Sequence, residues 1–260
     1  MWHIVKTELW KLKRYSIIWT GIVLMLLSVL LTLFTSLAND GSVWDFRYFI
    51  EQVIKNNMTI IFPMCITLIA GYIINREQKD DTLKSILAVP ISFKKLLMGK
   101  IIVVGLLSLV FGIACWIFMI ISNLIVEFPG FTVSLLIQSF IQITFFNLLL
   151  YLAVLPIIIG TSHLQNGFLA GTIGAFVYGY IGMFAAGHKI LLNLYPISAC
   201  LGIIKYRAYD PDVTYNTPLC YLTMVLMIVI SAALIWTTSN GIELKKSVKK
   251  KTKSVKKKGW

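Results

Sequence analysis

The sequence predicts an all-α integral membrane protein with six transmembrane helices, and three observations carry that expectation. Of its 260 residues, 58% are hydrophobic and only 13% are charged, more apolar surface than a water-soluble domain can bury. The apolar residues gather into several runs of about twenty, the length that crosses a hydrocarbon core as a helix. The runs are continuous rather than alternating, which favours helices over a β-barrel.

Residues 1–15, MWHIVKTELWKLKRY, place Trp2, Val5, Leu9 and Leu12 at helical spacing, with Lys6, Lys11, Lys13 and Arg14 elsewhere. Such a segment is expected to lie on a membrane surface as an interfacial amphipathic helix. It does not read as a cleavable signal, because the next apolar run is too long and no small-residue site closes it. The spans are expected at about 16–38, 58–75, 101–126, 133–160, 167–187 and 219–238, so that residues 16–238 form one transmembrane domain. Pro63 lies near the start of the second span and Pro156 near the end of the fourth. Residues 239–260 are a basic tail in which KSVKKKT at 246–252 is followed by KSVKKK at 253–258. A lysine run of this kind does not pack. It serves as a topology anchor or as an attraction for anionic lipid or RNA.

Charge sets the orientation. With six spans both termini share a side, together with the 76–100 loop and the turn around His163. That side holds 19 of the 24 Lys and Arg residues. The other side holds Arg47, Lys55, Lys189, Lys205 and Arg207. Positive loops are retained inside, so both termini are expected to be cytoplasmic and residues 39–57 and 188–217 to face outward.

The span cores, so bounded, contain no Asp, Glu, Lys or Arg. His3, His163 and His188 lie at a terminus or near span ends, and no HExxH places two metal ligands on one helical face. Ion-coupled transporters use buried carboxylates or charged pairs that these spans lack. Gly99-Lys100 is followed by Ile101 and has no upstream glycine, so no P-loop is present. No catalytic residue, metal or cofactor is therefore expected on this chain, and energy for uphill movement must enter from a partner. Cys65, Cys115, Cys200 and Cys220 have no CxxC spacing and read as packing residues. A bridge between Cys200 and Cys220 stays open, since both fall toward the outer face.

Between the second and third spans runs REQKDDTLKSILAVPISFKKLLMGK, residues 76–100. Asp80 or Asp81 can cap a helix, and Leu83, Ile86 and Leu87 then form one apolar face. Pro90 ends that helix, and Ser92 can cap a second one that runs into the third span. A cytoplasmic helix joined so closely to two spans would tilt them when a partner pressed on it. The plainer alternative is a charged interfacial helix that only retains topology.

The stretch resembles the cytoplasmic loop of ABC-2-type exporter permeases. There a glutamate ends the second span, a Gly-Thr-Leu-like turn starts a coupling helix, and a proline break and a Gly-Lys pair lead into the next span. Glu77, Thr82, Leu83, Pro90, Ile91, Ser92, Gly99 and Lys100 match, and Asp81 stands where glycine is usual. The resemblance extends to the interfacial helix, the six spans and the long outer segment before the last span. It implies that Glu77, Asp81, Thr82, Leu83, Ile86, Leu87 and Pro90 couple to an ATPase. It also implies two copies of a separate P-loop ATPase, which hold ATP and Mg, and a second permease, identical or sister. The setting implied is a bacterial plasma membrane, with membrane lipids and no nucleic acid as further partners. The small size and short loops resemble lantibiotic-immunity and bacitracin-resistance permeases, which implies an antimicrobial peptide or other amphipathic cargo. A reading from another class fits the same loop: a non-transporting membrane sensor or scaffold that holds a cytoplasmic partner.

Three further features bear on a pathway. Gln138 and Gln142 share a face of the fourth span, with Asn147 further along; they line a pathway or bond a neighbouring helix. Pro196 and Gly202 interrupt the apolar stretch within 188–218. It is expected as two half-helices with Tyr195, Pro196 and Gly202 as a candidate outer gate, or as a surface amphipathic helix. The fifth span carries Gly167, Gly171, Gly174, Gly179 and Gly182, which allow close helix approach within one subunit or between two.

Overall fold

A computed structural model describes residues 1–12, 16–38, 43–79, 93–162 and 167–238, with the backbone alone for 77–79 and 93. All regular structure among them is helical. Helix α1 spans Trp2–Leu12 and α2 spans Ile17–Ser36. Helix α3, Phe46–Asn56, runs through a π-helical stretch, Asn57–Ile61, into α4, Phe62–Lys79. Helices α5, Phe93–Val126, and α6, Val133–Ser162, form an antiparallel pair, and α7 covers Gly167–Ala186. Two short pieces, α8 at Leu191–Leu194 and α9 at Pro196–Ile203, precede α10 at Thr217–Thr238. Among the described residues, six helical stretches are long and apolar enough to cross a membrane: α2, the α3–α4 rod, α5, α6, α7 and α10.

The second of these differs most from the sequence expectation. The rod begins at Phe46, whereas a search for continuous apolar runs starts the span near residue 58 and leaves 39–57 as a loop. Arg47, Glu51 and Lys55 interrupt the run, but their spacing of four puts them on one helical face. The opposite face buries Phe46, Phe49, Ile50, Val53 and Ile54. Asp45 caps the helix, its Oδ1 accepting from the Tyr48 backbone N–H at 2.7 Å. The Phe46 N–H donates to the Pro129 carbonyl at 2.8 Å, and the Phe49 and Phe128 rings stack at 4.8 Å. The start of the rod is thus fastened to the α5–α6 turn.

Pro63 accounts for the widened turn between α3 and α4. It supplies no N–H to the Thr59 carbonyl four residues earlier and would crowd it in a regular helix. The π-helical stretch at Asn57–Ile61 relieves that conflict. Helix α7 passes directly over the freed carbonyl: a Cβ on Gly179 would lie 2.6 Å from the Thr59 oxygen and 3.1 Å from Pro63 Cγ. Glycine is required there by space. Gly171 likewise leaves room for Thr161 of α6, so these two glycines serve packing inside the chain. Gly174 faces open space.

The bundle has two distinguishable ends. Lys94 at the start of α5 lies 5.4 Å from the Trp236 ring centroid near the end of α10, and Ile4 of α1 packs where a Cβ on Gly99 would be. Helix α1, the start of α5 and the last turns of α10 therefore share one end, called proximal here. The α5–α6 turn, the start of α3 and the α8–α9 segment occupy the distal end. Helix α1 buries Val5, Glu8 and Leu12, while Trp2 is 71% and Trp10 72% exposed. Its buried face thus includes a carboxylate and omits Trp2 from the expected apolar stripe. All four cysteines are free and buried; the open possibility of a Cys200–Cys220 bridge is not realised.

Substituting Gly179 with Ala is expected to lower the unfolding midpoint of the purified protein in detergent, by about 1–3 kcal/mol of overpacking. Gly174→Ala, made on the same helix, should leave the midpoint within experimental scatter. Equal midpoints for both variants would argue against the close approach.

Candidate functional site

The residues expected to couple to an ATPase fall on the α4–α5 connection. Glu77 lies in the last turn of α4, with no described side chain. Asp81, Thr82, Leu83, Ile86, Leu87 and Pro90 lie outside the described residues. What is described is how the two roots of that connection are held. Lys100, in the second turn of α5, is 4% exposed and Glu8 of α1 is 3% exposed. Lys100 Nζ lies 3.1 Å from Glu8 Oε2 and donates to the Ile73 carbonyl of α4 at 3.0 Å. Glu8 Oε1 accepts from Lys11 Nζ at 2.7 Å. One ammonium therefore joins three helices, and Gly99 beside it admits α1 to contact distance. Arg76, close to Glu77, donates to the Tyr72 hydroxyl at 3.1 Å and lies over its ring. Gly99 and Lys100 have separate physical tasks, close approach and ion pairing. Glu8 was missed because a single acid on a basic segment gives no periodic signal.

A second polar contact sits inside the bundle. Asn57 Nδ2 donates to Asn147 Oδ1 at 2.6 Å, and both residues are fully buried. Asn147 is thus tied to the π-helical stretch of the rod. Nearby, Asn56 Nδ2 donates to Thr32 Oγ1 of α2 at 2.9 Å. These bonds pin the point where the rod changes helical pitch to α2 on one side and α6 on the other.

The distal end carries the remaining candidates. Gln138 and Gln142 line a cavity of about 220 Å³ with Arg47, Glu51 and Tyr209, and Gln138 also lines a neighbouring one of about 660 Å³. Gln142 Nε2 donates to the Ile204 carbonyl at 3.0 Å, satisfying an acceptor at the end of α9. The chain then turns sharply: Lys205 and Arg207 adopt positive φ of 55° and 50°, a left-handed conformation that costs about 1–2 kcal/mol per non-glycine residue. The turn is held by the buried Glu51 carboxylate, which takes Arg207 Nε at 3.3 Å and the Tyr209 hydroxyl. The Tyr206 hydroxyl donates to the Glu51 backbone carbonyl at 3.3 Å, and Arg47 lies 4.4 Å over the Tyr209 ring. Arg207 also pairs with Asp210 at 2.8 Å. Partial burial, and then the Glu51 carboxylate, push the Tyr209 phenol up to about 12, so it remains a donor throughout the physiological range. Glu51, Arg207 and Tyr209 were missed because Glu51 lies 158 residues from Tyr209 in sequence.

The three gate candidates are packed. The Tyr195 hydroxyl donates to the Tyr178 carbonyl of α7 at 2.7 Å, Pro196 opens α9, and a Cβ on Gly202 would lie 2.6 Å from Cys220 Sγ of α10. Asn193 holds the segment to α10: its Oδ1 accepts from the Asn216 N–H at 2.9 Å, and its carbonyl accepts from Thr223 Oγ1 at 3.1 Å. Helices α8 and α9 thus pack as a cap on the distal end.

Comparison with known proteins bears on the same regions. The family model described as "ABC-2 family transporter protein" matches residues 4–182, from α1 through most of α7. The chain is also 25% identical over 173 residues to a Bacillus licheniformis protein named "Bacitracin transport permease protein BCRB", covering 64% of this chain and 82% of that one. The family match includes Glu8, Glu51 and Lys100, whereas Arg207, Tyr209 and the α8–α9 cap lie beyond it.

Removing one partner of a buried ion pair costs about 3–5 kcal/mol, because the other charge stays buried. Glu8→Gln and Lys100→Met should each lower the unfolding midpoint in detergent, and the double variant should lose less than the sum. Strict additivity would show that the pair is not coupled. At the distal end, Glu51→Gln is expected to make the 204–210 turn more susceptible to limited proteolysis. Unchanged cleavage would count against Glu51 as its anchor.

Proposed function

This chain belongs to the ABC-2 family of transporter proteins and is the membrane subunit of an ABC transporter; on that premise we propose that it is the permease of an ATP-driven exporter. Its cargo is an antimicrobial peptide or another amphipathic compound. The observation that carries the reading is the fastening of both roots of the 76–100 connection by Lys100, Glu8 and the Ile73 carbonyl. A push on the connection then moves α4 and α5 together, instead of bending a slack loop. Two copies of a P-loop ATPase, each with ATP and Mg, would supply that push on Leu83, Ile86 and Leu87. A second permease, identical or sister, completes the pathway.

In this arrangement the proximal end faces the cytoplasm of a bacterial cell, in keeping with its excess of lysine and arginine, and the distal cavities face outward. The α3–α4 rod links the two: it starts at the distal aromatic cluster, carries Glu51 and ends beside the connection. The bacitracin transport function in the name of the Bacillus licheniformis relative supports a peptide antibiotic as cargo. Outside the first turns of the rod and of α5 and the last turns of α4, the spans carry no fixed charge, which suits such a cargo better than a small ion, whose hydration would need replacing.

The test is purification of the tagged chain from its own cells in mild detergent, with mass spectrometry and an ATPase assay. A P-loop ATPase in equal stoichiometry is expected, with turnover stimulated by the cargo peptide. The Leu83→Asp/Leu87→Asp double variant, or Glu77→Ala, should insert normally yet lose most of the co-purified ATPase. Normal complex recovery and normal turnover in these variants would remove the coupling role. A chain that recovers no nucleotide-hydrolysing partner in several detergents would point to a sensor or scaffold instead.

A further inference from the structure

The distal end holds another cavity, of about 440 Å³, between the α3–α4 rod, α7, α8 and the 206–215 segment. Its volume falls within the range of sites that take a small organic ligand. The lining has two characters. Met183, Ala186, Leu192 and Val213 give it an apolar wall backed by the buried Met58 and Leu201, and Lys55 and Lys189 are cations in the same lining. Arg207 also borders the cavity, but its guanidinium is already paired with Glu51 and Asp210. Neither Lys55 nor Lys189 has an ion-pair partner among the described residues. Asp212 is the one carboxylate that shares the lining.

We propose that this cavity binds one phosphate-bearing amphiphile, its phosphate held by Lys55 and Lys189 and its apolar part against the methionine and leucine wall. The two lysine backbones are fixed independently. The Lys55 carbonyl accepts from Thr59 Oγ1 at 2.7 Å, and the Lys189 carbonyl accepts from Asn193 Nδ2 at 3.2 Å. Each lysine thus stands on a held backbone while its ammonium stays exposed, an arrangement suited to a phosphate as a compact multiple acceptor. Thioethers adapt to the irregular outline of a short acyl chain. A bare anion would leave the apolar wall uncovered, and a neutral amphiphile would leave two ammonium groups and Arg207 facing Asp212 as the one carboxylate in the lining. The site goes beyond the export reading and does not depend on it, since binding is read without nucleotide or ATPase.

Native mass spectrometry of the full-length chain, titrated with dihexanoyl phosphatidylglycerol, tests the proposal. A one-to-one adduct is expected. Lys55→Gln/Lys189→Gln should weaken it about tenfold, within the range for two exposed charge contacts. Lys205→Gln, a lysine outside this lining, should change it by less than about twofold. Dihexanoylglycerol should bind far more weakly, and inorganic phosphate should fail to displace the lipid. Wild-type affinity in the double variant, or equal binding of dihexanoylglycerol, would overturn the phosphate contact. Displacement by inorganic phosphate at similar concentration would overturn the amphiphile and leave a simple anion site. Failure of these outcomes would not alter ATPase recovery, so the two readings fall separately.

Discussion

The proximal end depends on the ion pair between Glu8 and Lys100. Two charges that are nearly inaccessible to water sit where α1 meets the 34-residue α5. They are tolerable because both are paired: the ammonium has a carboxylate and a main-chain carbonyl, and the carboxylate has two ammonium groups. A helix of that length extends about 50 Å, well beyond a hydrocarbon core of about 30 Å. The charged turn can therefore lie at the interface, where desolvation costs less than at the centre. Gly99 seats α1 beside Lys100, since a Cβ there would lie 2.6 Å from Ile4 Cγ2 and force that side chain to move.

A second constraint is set by Pro63. One missing N–H widens the helix, and the widened turn leaves a carbonyl that only a glycine of α7 can approach. The same turn brings Asn57 to Asn147. A sequence-local defect is thereby converted into contacts with two other helices. Its position is mechanically apt, because it divides the rod into a distal half anchored by Asp45 and Phe46 and a proximal half that ends at the connection. Force applied at one end of the rod must pass the only π-helical stretch among the described residues.

The distal cap follows a different principle. Lys205 and Arg207 hold unfavourable backbone conformations, and each is compensated by bonds from elsewhere in the fold. Strain of this kind persists only where surrounding contacts over-determine it. Glu51 and Gln142, from two different helices, supply those contacts. The cap lies outside the residues matched by the family model, whereas Glu51 and Gln142 lie inside them.

Composition and run length alone determined the helical class and the expectation of six spans, because a chain this apolar must satisfy its backbone internally wherever lipid surrounds it. The Gly99-Lys100 pair and the break at Pro196 were also legible, since both are local breaks in a pattern. The long rod was not. Arg47, Glu51 and Lys55 disguise its first turns, and only the packing of Phe46, Phe49 and Val53 on the opposite face shows why they are helical. Asn147 could be read as polar but not as bonded to Asn57, ninety residues away. Glu8 with Lys100, and Glu51 with Arg207, were decided by the tertiary structure alone. A sequence records which groups carry charge; only folding brings together the partners that make burial of that charge affordable.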